Sequence, residues 1–269
     1  MWIYVWDTEI KWIYLWDTLV KEVYLWDDKI RPTITPITTP WIYHNATLWL
    51  ISLSSNWSTW ITIADKNLWA TTVYNSWDTL SGANCWWLFQ PWNNYMFPFT
   101  WATTTSSNKV NARNYWPWNY YSGSTFIYSY YSPYGWESSN NRNLRWWVTW
   151  TVEAKQWPCP SWFHVPTSWE WWNLRTAMSS LGFSSWNQYK AKLFIPIGGN
   201  LAYNSGENYN QNSAGEYCCS NFLSDNNYAY FFLTYPSSVN VLYDYSSYWG
   251  FVRPFYNEWV QPDTSWAKL

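Results

Sequence analysis

A strand can reverse tightly only where the backbone tolerates positive φ, and this chain sets tryptophan where its first reversals fall. The opening MWIYVWDTEIKWIYLWDTLVKEVYLWDDKIRP repeats with a period of ten: Ile3, Ile13 and Val23 align, as do Tyr4, Tyr14 and Tyr24, and Asp7, Asp17 and Asp27. Each unit reads as strand, turn, strand, with Ile3 and Val5 and then Ile10 alternating about a turn at Trp6-Asp7-Thr8. Such a turn needs positive φ at one or two positions, which glycine supplies without steric cost and tryptophan does not. The whole chain has 30 tryptophans and 9 glycines in 269 residues, whereas glycine ordinarily makes up about 7% of a soluble protein.

Charged residues are 12% and the formal net charge is -2, so no basic surface points to nucleic acid. No run of about 18 apolar residues could span a bilayer, and the N-terminus lacks the charged, apolar and small-residue segments of a signal peptide. Because the sequence starts inside a repeat, an export signal is expected upstream. The four cysteines, Cys85, Cys159, Cys218 and Cys219, fit no zinc spacing, and only His44 and His164 accompany them. No metal or cofactor is expected. Cys85 and Cys159 lie in loop-like sequence and could pair if the protein is exported. The adjacent Cys218 and Cys219 read as two small strand residues.

The chain divides into ten-residue β repeats at 1–31, a Pro/Thr linker at 32–46 containing PTITPITTP, a globular domain at 47–256 and a tail at 257–269. Inside the domain, Thr167 and Glu170 form a T-x-x-E capping box, and Trp171, Leu174, Met178 and Leu181 follow at helical spacing. Gly182 closes that helix, and Ser185 begins a shorter one through Tyr189 and Lys192. Short strands follow from residue 193: LFIPI, then 228–235, 237–243 and 250–255. Residues 86–160 read mostly as loop.

CPSWFHVPTSWEWWNL at 159–174 resembles the CPxGWHVPTxxEWxxL signature of the Fibrobacter succinogenes major paralogous domain, a surface-protein family related to the C-type lectin-like fold. ITIADKNLWATTVYNSWD at 61–78, CWWLFQPWNNY at 85–95 and GFVRPFYN at 250–257 resemble further segments of that family in the same order. The resemblance implies an α+β fold: a C-type lectin-like domain with one or two short helices and an antiparallel sheet, preceded here by short β-hairpin repeats. It also places Trp69, Trp77, Trp86, Trp92, Trp157 and Trp162 where the family has glycine. Substituting glycine turns the opening repeat into GIYLGDT, a sensible hairpin unit. The implied explanation is a gene that reads UGA as glycine, written here with tryptophan at those codons. Moving about twenty tryptophans to glycine would raise glycine to about 11%. Trp60, Trp136, Trp171 and Trp266 are the tryptophans that the family or the helix pattern requires. These four are expected to be buried, whereas the substituted ones should protrude from turns or distort them.

Function is expected at the C-terminal strands. Residues 200–249 are dense in Tyr, Asn, Ser and Asp, which combine rigid amphipathic contact area with adaptable hydrogen bonding. Alternation in 228–235 places Ala229, Phe231 and Leu233 on one face, which the family keeps as core, and Tyr228, Tyr230, Phe232 and Thr234 on the other. The candidate ligand-binding residues are Asn226, Asn227, Tyr228, Tyr230, Phe232, Asn240, Tyr243, Asp244, Tyr245 and Tyr248, with Leu242 on the same surface. The competing reading packs these aromatics under the long middle loops. CCSNFLSDNNYAY at 218–230 also resembles the variable region of proteins diversified by retroelements, with Cys218 standing where the family has tryptophan.

No enzyme site is legible. Glu170 reads as a capping partner, Glu216 as a solvated strand neighbour, and His164 as a structural histidine with no acidic partner assigned by any motif. No carboxylate pair suited to glycoside hydrolysis is evident. QPD at Gln261–Asp263 matches a sugar-selecting triplet only by accident, and Arg253 reads as an anchor of the last strand. The sequence therefore points to an extracellular or cell-surface protein binding a protein or glycan on another cell. The alternative is a structural or adhesive module that binds copies of itself.

Overall fold

The computed structural model describes residues 14–15, 18–19, 23–25, 28–30, 36–56, 59–75, 77–85, 87–89, 96–98, 105–108, 124–128, 159–202, 204–205, 207–222, 228–235, 238–245, 250–258 and 260–269. The first ten-residue repeat lies outside them, as do Asn226, Asn227 and Tyr248. In the second repeat β1 (Tyr14–Leu15) pairs antiparallel with β2 (Thr18–Leu19), and in the third β3 (Val23–Leu25) pairs with β4 (Asp28–Ile30). Leu15 faces Thr18 and Leu25 faces Asp28. The strands thus close one residue tighter than the expected Trp-Asp-Thr turn, since Thr18 and Asp28 are already paired; Trp16, Asp17, Trp26 and Asp27 lie outside the described residues.

The main sheet begins earlier than the sequence boundaries suggested. β5 (Ile42–Asn45), β6 (Leu50–Asn56) and β7 (Thr59–Ala64) form an antiparallel meander. β5 falls inside the expected linker, because the Pro/Thr composition ends at Pro40 and the β-forming Trp41-Ile42-Tyr43 follows. Ile42, Ile51, Leu53 and Ile63 are buried in the core. Later in the chain come the short strands β8 (Trp87–Phe89), β9 (Met96–Pro98), β10 (Thr105–Ser106), β11 (Phe126–Ile127) and β12 (Phe163–His164).

Helix α1 (Ser168–Ser180) starts at Thr167, whose hydroxyl accepts from the Glu170 amide while Glu170 Oε2 accepts from the Thr167 amide. It ends as the sequence predicted, with Gly182 at φ 87° and the Phe183 amide donating to the Met178 carbonyl, the left-handed glycine closure of a helix. Helix α2 (Trp186–Leu193) follows, with Gln188 Oε1 accepting from the Ser185 amide. Trp171, Leu174, Ala177 and Met178 form the buried stripe of α1.

The remaining strands are β13 (Asn200–Leu201), β14 (Asn208–Tyr209), β15 (Gly215–Phe222), β16 (Tyr228–Tyr235), β17 (Ser238–Tyr245), β18 (Phe255–Tyr256) and β19 (Ala267–Lys268). Among the described residues two larger sheets result, ordered β12-β18-β7-β6-β5-β19 and β15-β16-β17, both antiparallel. β19 lies in the expected tail yet pairs with β5. Helix α1 packs against β6 of the first sheet and all three strands of the second, so its apolar stripe fills the space between them. The protein is α+β with mainly antiparallel sheets.

Among the described residues the tryptophans separate only in part: Trp77 is exposed without positive φ, and Trp169 and Trp172 are exposed on α1. Trp69 and Trp162 sit at φ 62° and 71°, and Trp49 at 57°, a region that costs a side-chain-bearing residue about 1–2 kcal/mol. Their indoles are exposed, as is that of Trp77. Trp60, Trp171 and Trp266 are buried. Trp86, Trp92, Trp136 and Trp157 lie outside the described residues.

Candidate functional site

In the three-stranded sheet the register pairs Tyr228 with Tyr245, Tyr230 with Tyr243, Phe232 with Val241 and Leu233 with Asn240. Paired residues share a face, so the face expected to carry ligand is the one that meets α1. Phe232 is accordingly fully buried, its ring stacked on Trp171 at a centroid distance of 4.0 Å. The expectation of an outward Phe232 is wrong, because the helix covers that face. Phe231 and Leu233, on the opposite face, are buried as expected. At this point of the strand both faces are covered.

Exposure begins at the edge. β17 has β16 on one side and no strand among the described residues on the other. Leu242 is 45% and Tyr243 56% exposed, but the register sets half-buried Asn240 and Asp244 with Leu242 on the face of Phe231 and Leu233, opposite Tyr243, so the single surface expected for these four residues is split between two faces. Tyr228, Tyr230 and Tyr245 belong to the strands by backbone, but their side chains lie outside the described residues. Tyr235 is exposed at the far end of β16, and burial, Glu216 and Asp244 together push its phenol up. The candidate site is therefore an edge of the sheet rather than its broad face.

On β15, across β16 from that edge, Glu216 is buried, not solvated as its strand position suggested. Glycines make this close packing: a Cβ on Gly215 would lie 2.6 Å from Thr234 Oγ1 and 2.9 Å from the Pro196 carbonyl oxygen. Cys218 and Cys219 are buried in β15, and burial pushes both thiols up, opposite to the shift that makes a nucleophilic thiolate. Cys85 and Cys159 are also buried, each a free thiol, so the pairing considered from sequence is not made.

A second polar cluster joins three elements. His164 Nε2 lies 2.8 Å from Glu170 Oε1, and His164 Nδ1 lies 2.8 Å from Asn257 Oδ1. The sequence reading assigned His164 no acidic partner, but the capping box that fixes Glu170 also holds it against β12. Burial alone would raise the Glu170 carboxyl; hydrogen bonds and charge from His164, with hydrogen bonds from Thr167, instead lower it to about 2. A cleft of about 240 Å³ runs beside this cluster, past Trp60, Asn173 and Glu258. His164 engages Glu170 with one ring nitrogen and Asn257 with the other, the arrangement of a structural clasp.

Arg253 is fully buried and donates to the carbonyls of Ala64 and Phe194 at 3.1 and 2.6 Å, the anchoring role its VRPF context predicted. In the QPD triplet, Gln261 Nε2 donates to the Ile37 carbonyl, and Asp263 Oδ1 accepts from the Ser265 amide. A larger cleft of about 490 Å³ lies between Leu68, Phe163 and Pro254, walled partly by Trp49 and Trp69, with Lys66 Nζ 4.5 Å from the Trp49 ring centroid. Its mouth is thus shaped by two indoles on left-handed backbone. No described helix is long and apolar enough to cross a membrane. Comparison with family models, characterised proteins and solved structures finds no match.

Proposed function

We propose that the chain is a surface or secreted recognition protein that presents the edge of its β15-β16-β17 sheet to a protein or glycan on another cell, from a C-type lectin-like scaffold. One observation carries the reading: a sheet buried on both faces at Phe231 and Phe232 opens at β17 into exposed Leu242 and Tyr243, flanked by Asn240 and Asp244. A rigid aromatic beside short amide and carboxylate groups is the composition of adaptable binding surfaces. The sequence that follows, at 246–249, contains a further tyrosine, Tyr248, outside the described residues. Glycan arrays and binding to purified cell surfaces test the reading, comparing the intact chain with Tyr243→Ala and Leu242→Ser. Binding that survives both changes removes this edge as the site.

A strand at the side of a sheet can also pair with a second copy, and β17 has no strand beyond it among the described residues. Self-association through it is the second reading. Sedimentation at rising concentration separates the two: the recognition reading expects a monomer whose ligand binding is lost in Tyr243→Ala, the adhesive reading an oligomer lost in the same variant.

We infer too that the turn tryptophans stand at glycine codons. Support comes from Trp69 and Trp162, which combine positive φ with exposed indoles. Trp49 joins them on the same criterion although no motif singled it out. The codons decide: UGA at these three sites supports recoding, and UGG at them removes it.

A further inference from the structure

Gly199 and Gly215 form a parallel bridge, and the Gly199 amide donates to the Ala214 carbonyl at 2.8 Å. One residue further along each segment stand Asn200 on β13 and Glu216 on β15, 5% and 4% exposed. Asn200 Nδ2 donates to Glu216 Oε2. Two buried oxygens then remain without a partner, Glu216 Oε1 and Asn200 Oδ1. With an ionised carboxylate both are acceptors, and neither can satisfy the other. Each such buried acceptor costs about 1–3 kcal/mol.

One proton resolves both. On Glu216 Oε1 it creates an O–H donor for Asn200 Oδ1, closing a cyclic acid–amide pair that uses both groups and carries no net charge. We propose that folded Glu216 is a neutral carboxylic acid paired head to tail with Asn200, and that loss of its proton is a built-in pH-sensitive release between β13 and the recognition sheet.

The surroundings favour the neutral form. Burial, and next the charge of Asp244, push the Glu216 carboxyl well above its usual range, and the hydrogen bond from Asn200 only partly offsets this. Among the described residues, Tyr235 on β16 and Cys218 on its own strand also feel its charge. Asp244, Tyr235 and Cys218 are all neutral or negative, so none of these described neighbours compensates an anion. The strand is also fixed from the far side, where the Phe251 amide donates to the Glu216 carbonyl at 2.8 Å. Ionisation therefore cannot be relieved by a shift of β15 alone. The pair itself must part.

Linkage gives the sign. In the unfolded chain this carboxyl ionises near its ordinary value of 4.5, while the folded chain keeps the proton. Unfolding then releases a proton, and stability falls as pH rises from that value toward the folded pKa. The test is denaturant unfolding of the full chain and of Glu216→Gln between about pH 5 and pH 8. Glutamine has the same shape and offers Asn200 Oδ1 an N–H donor at every pH. The ratio of the two unfolding constants should change by up to about tenfold per pH unit, wild type losing ground as pH rises. A ratio independent of pH overturns the proposal. Infrared spectroscopy with isotope-labelled glutamate gives a second readout: a carboxylic-acid carbonyl band at neutral pH, absent from Glu216→Gln. Lack of that band in the wild type also overturns it. Neither readout involves a ligand, so the inference stands or falls apart from the recognition reading.

Discussion

The indole of Trp171 lies flat against the ring of Phe232, with the two planes 5° apart. One residue comes from α1 and the other from the centre of β16, much later in the chain. Tyr217 of β15 and Phe255 of β18 contact the same indole at 5.8 and 4.9 Å between centroids. The stack is where helix and both larger sheets meet. Phe232→Ala should destabilise by about 3–5 kcal/mol, the cost of emptying a site walled on all sides. Urea unfolding monitored by far-ultraviolet circular dichroism measures it. A loss below about 1 kcal/mol would mean that Phe232 is not a core residue.

The indoles on left-handed backbone should respond in the opposite direction. Trp69→Gly and Trp162→Gly relieve a strain of about 1–2 kcal/mol each, and exposed indoles have little packing to lose. Each variant should unfold at equal or higher urea concentration than the parent. Trp60→Gly, at a buried site, should lose several kcal/mol by the same assay. Equal losses at all three positions would remove the backbone argument.

Glu170 serves the helix cap and the His164 contact together. Glu170→Gln should cost about 1–2 kcal/mol at neutral pH, from a weakened cap and a lost charge-assisted bond. Because the folded carboxyl is lowered to about 2 from 4.5, its contribution is fully present above the unfolded value. It declines as pH falls from 4.5 toward 2. The stability gap between wild type and variant should narrow over that range and be constant above it, as unfolding curves at several pH values can measure. A gap that widens in acid contradicts this assignment.

Arg253 reaches two carbonyls from different segments with one planar group. Lysine presents a single ammonium on a flexible stem and cannot hold both in the same geometry. Arg253→Lys should cost about 1–3 kcal/mol, the penalty for one buried carbonyl left without a donor. Calorimetry would register a lower Tm. An unchanged Tm would mean that one of the two carbonyls finds another donor.

What the sequence disclosed was local. The start, stripe and end of α1 were all readable, because Thr167, Glu170 and Gly182 act within a few residues of where they stand. The hairpin repeats were equally local, although the turn read as Trp-Asp-Thr is one residue shorter, Thr18 pairing with Leu15. Phe232 was misplaced because alternation sorts a strand into two faces without saying what covers each, and the cover is a helix far upstream. Glu216 was misread for the same reason: its partner Asn200 is adjacent only through the Gly199–Gly215 bridge. The exposed Tyr243 was legible by composition, but its place at a sheet edge depended on strand order, which no single strand encodes.

The strand by which the chain joins the six-stranded sheet and the strand by which it leaves are hydrogen-bonded neighbours, Tyr43 facing Lys268 and His44 facing Ala267. Neighbouring strands run about 4.8 Å apart. A host protein could therefore carry this domain spliced into one of its own surface loops with scarcely any gap to bridge. The same closeness would allow the two strands to be fused and new ends to be cut elsewhere, leaving the sheet order intact.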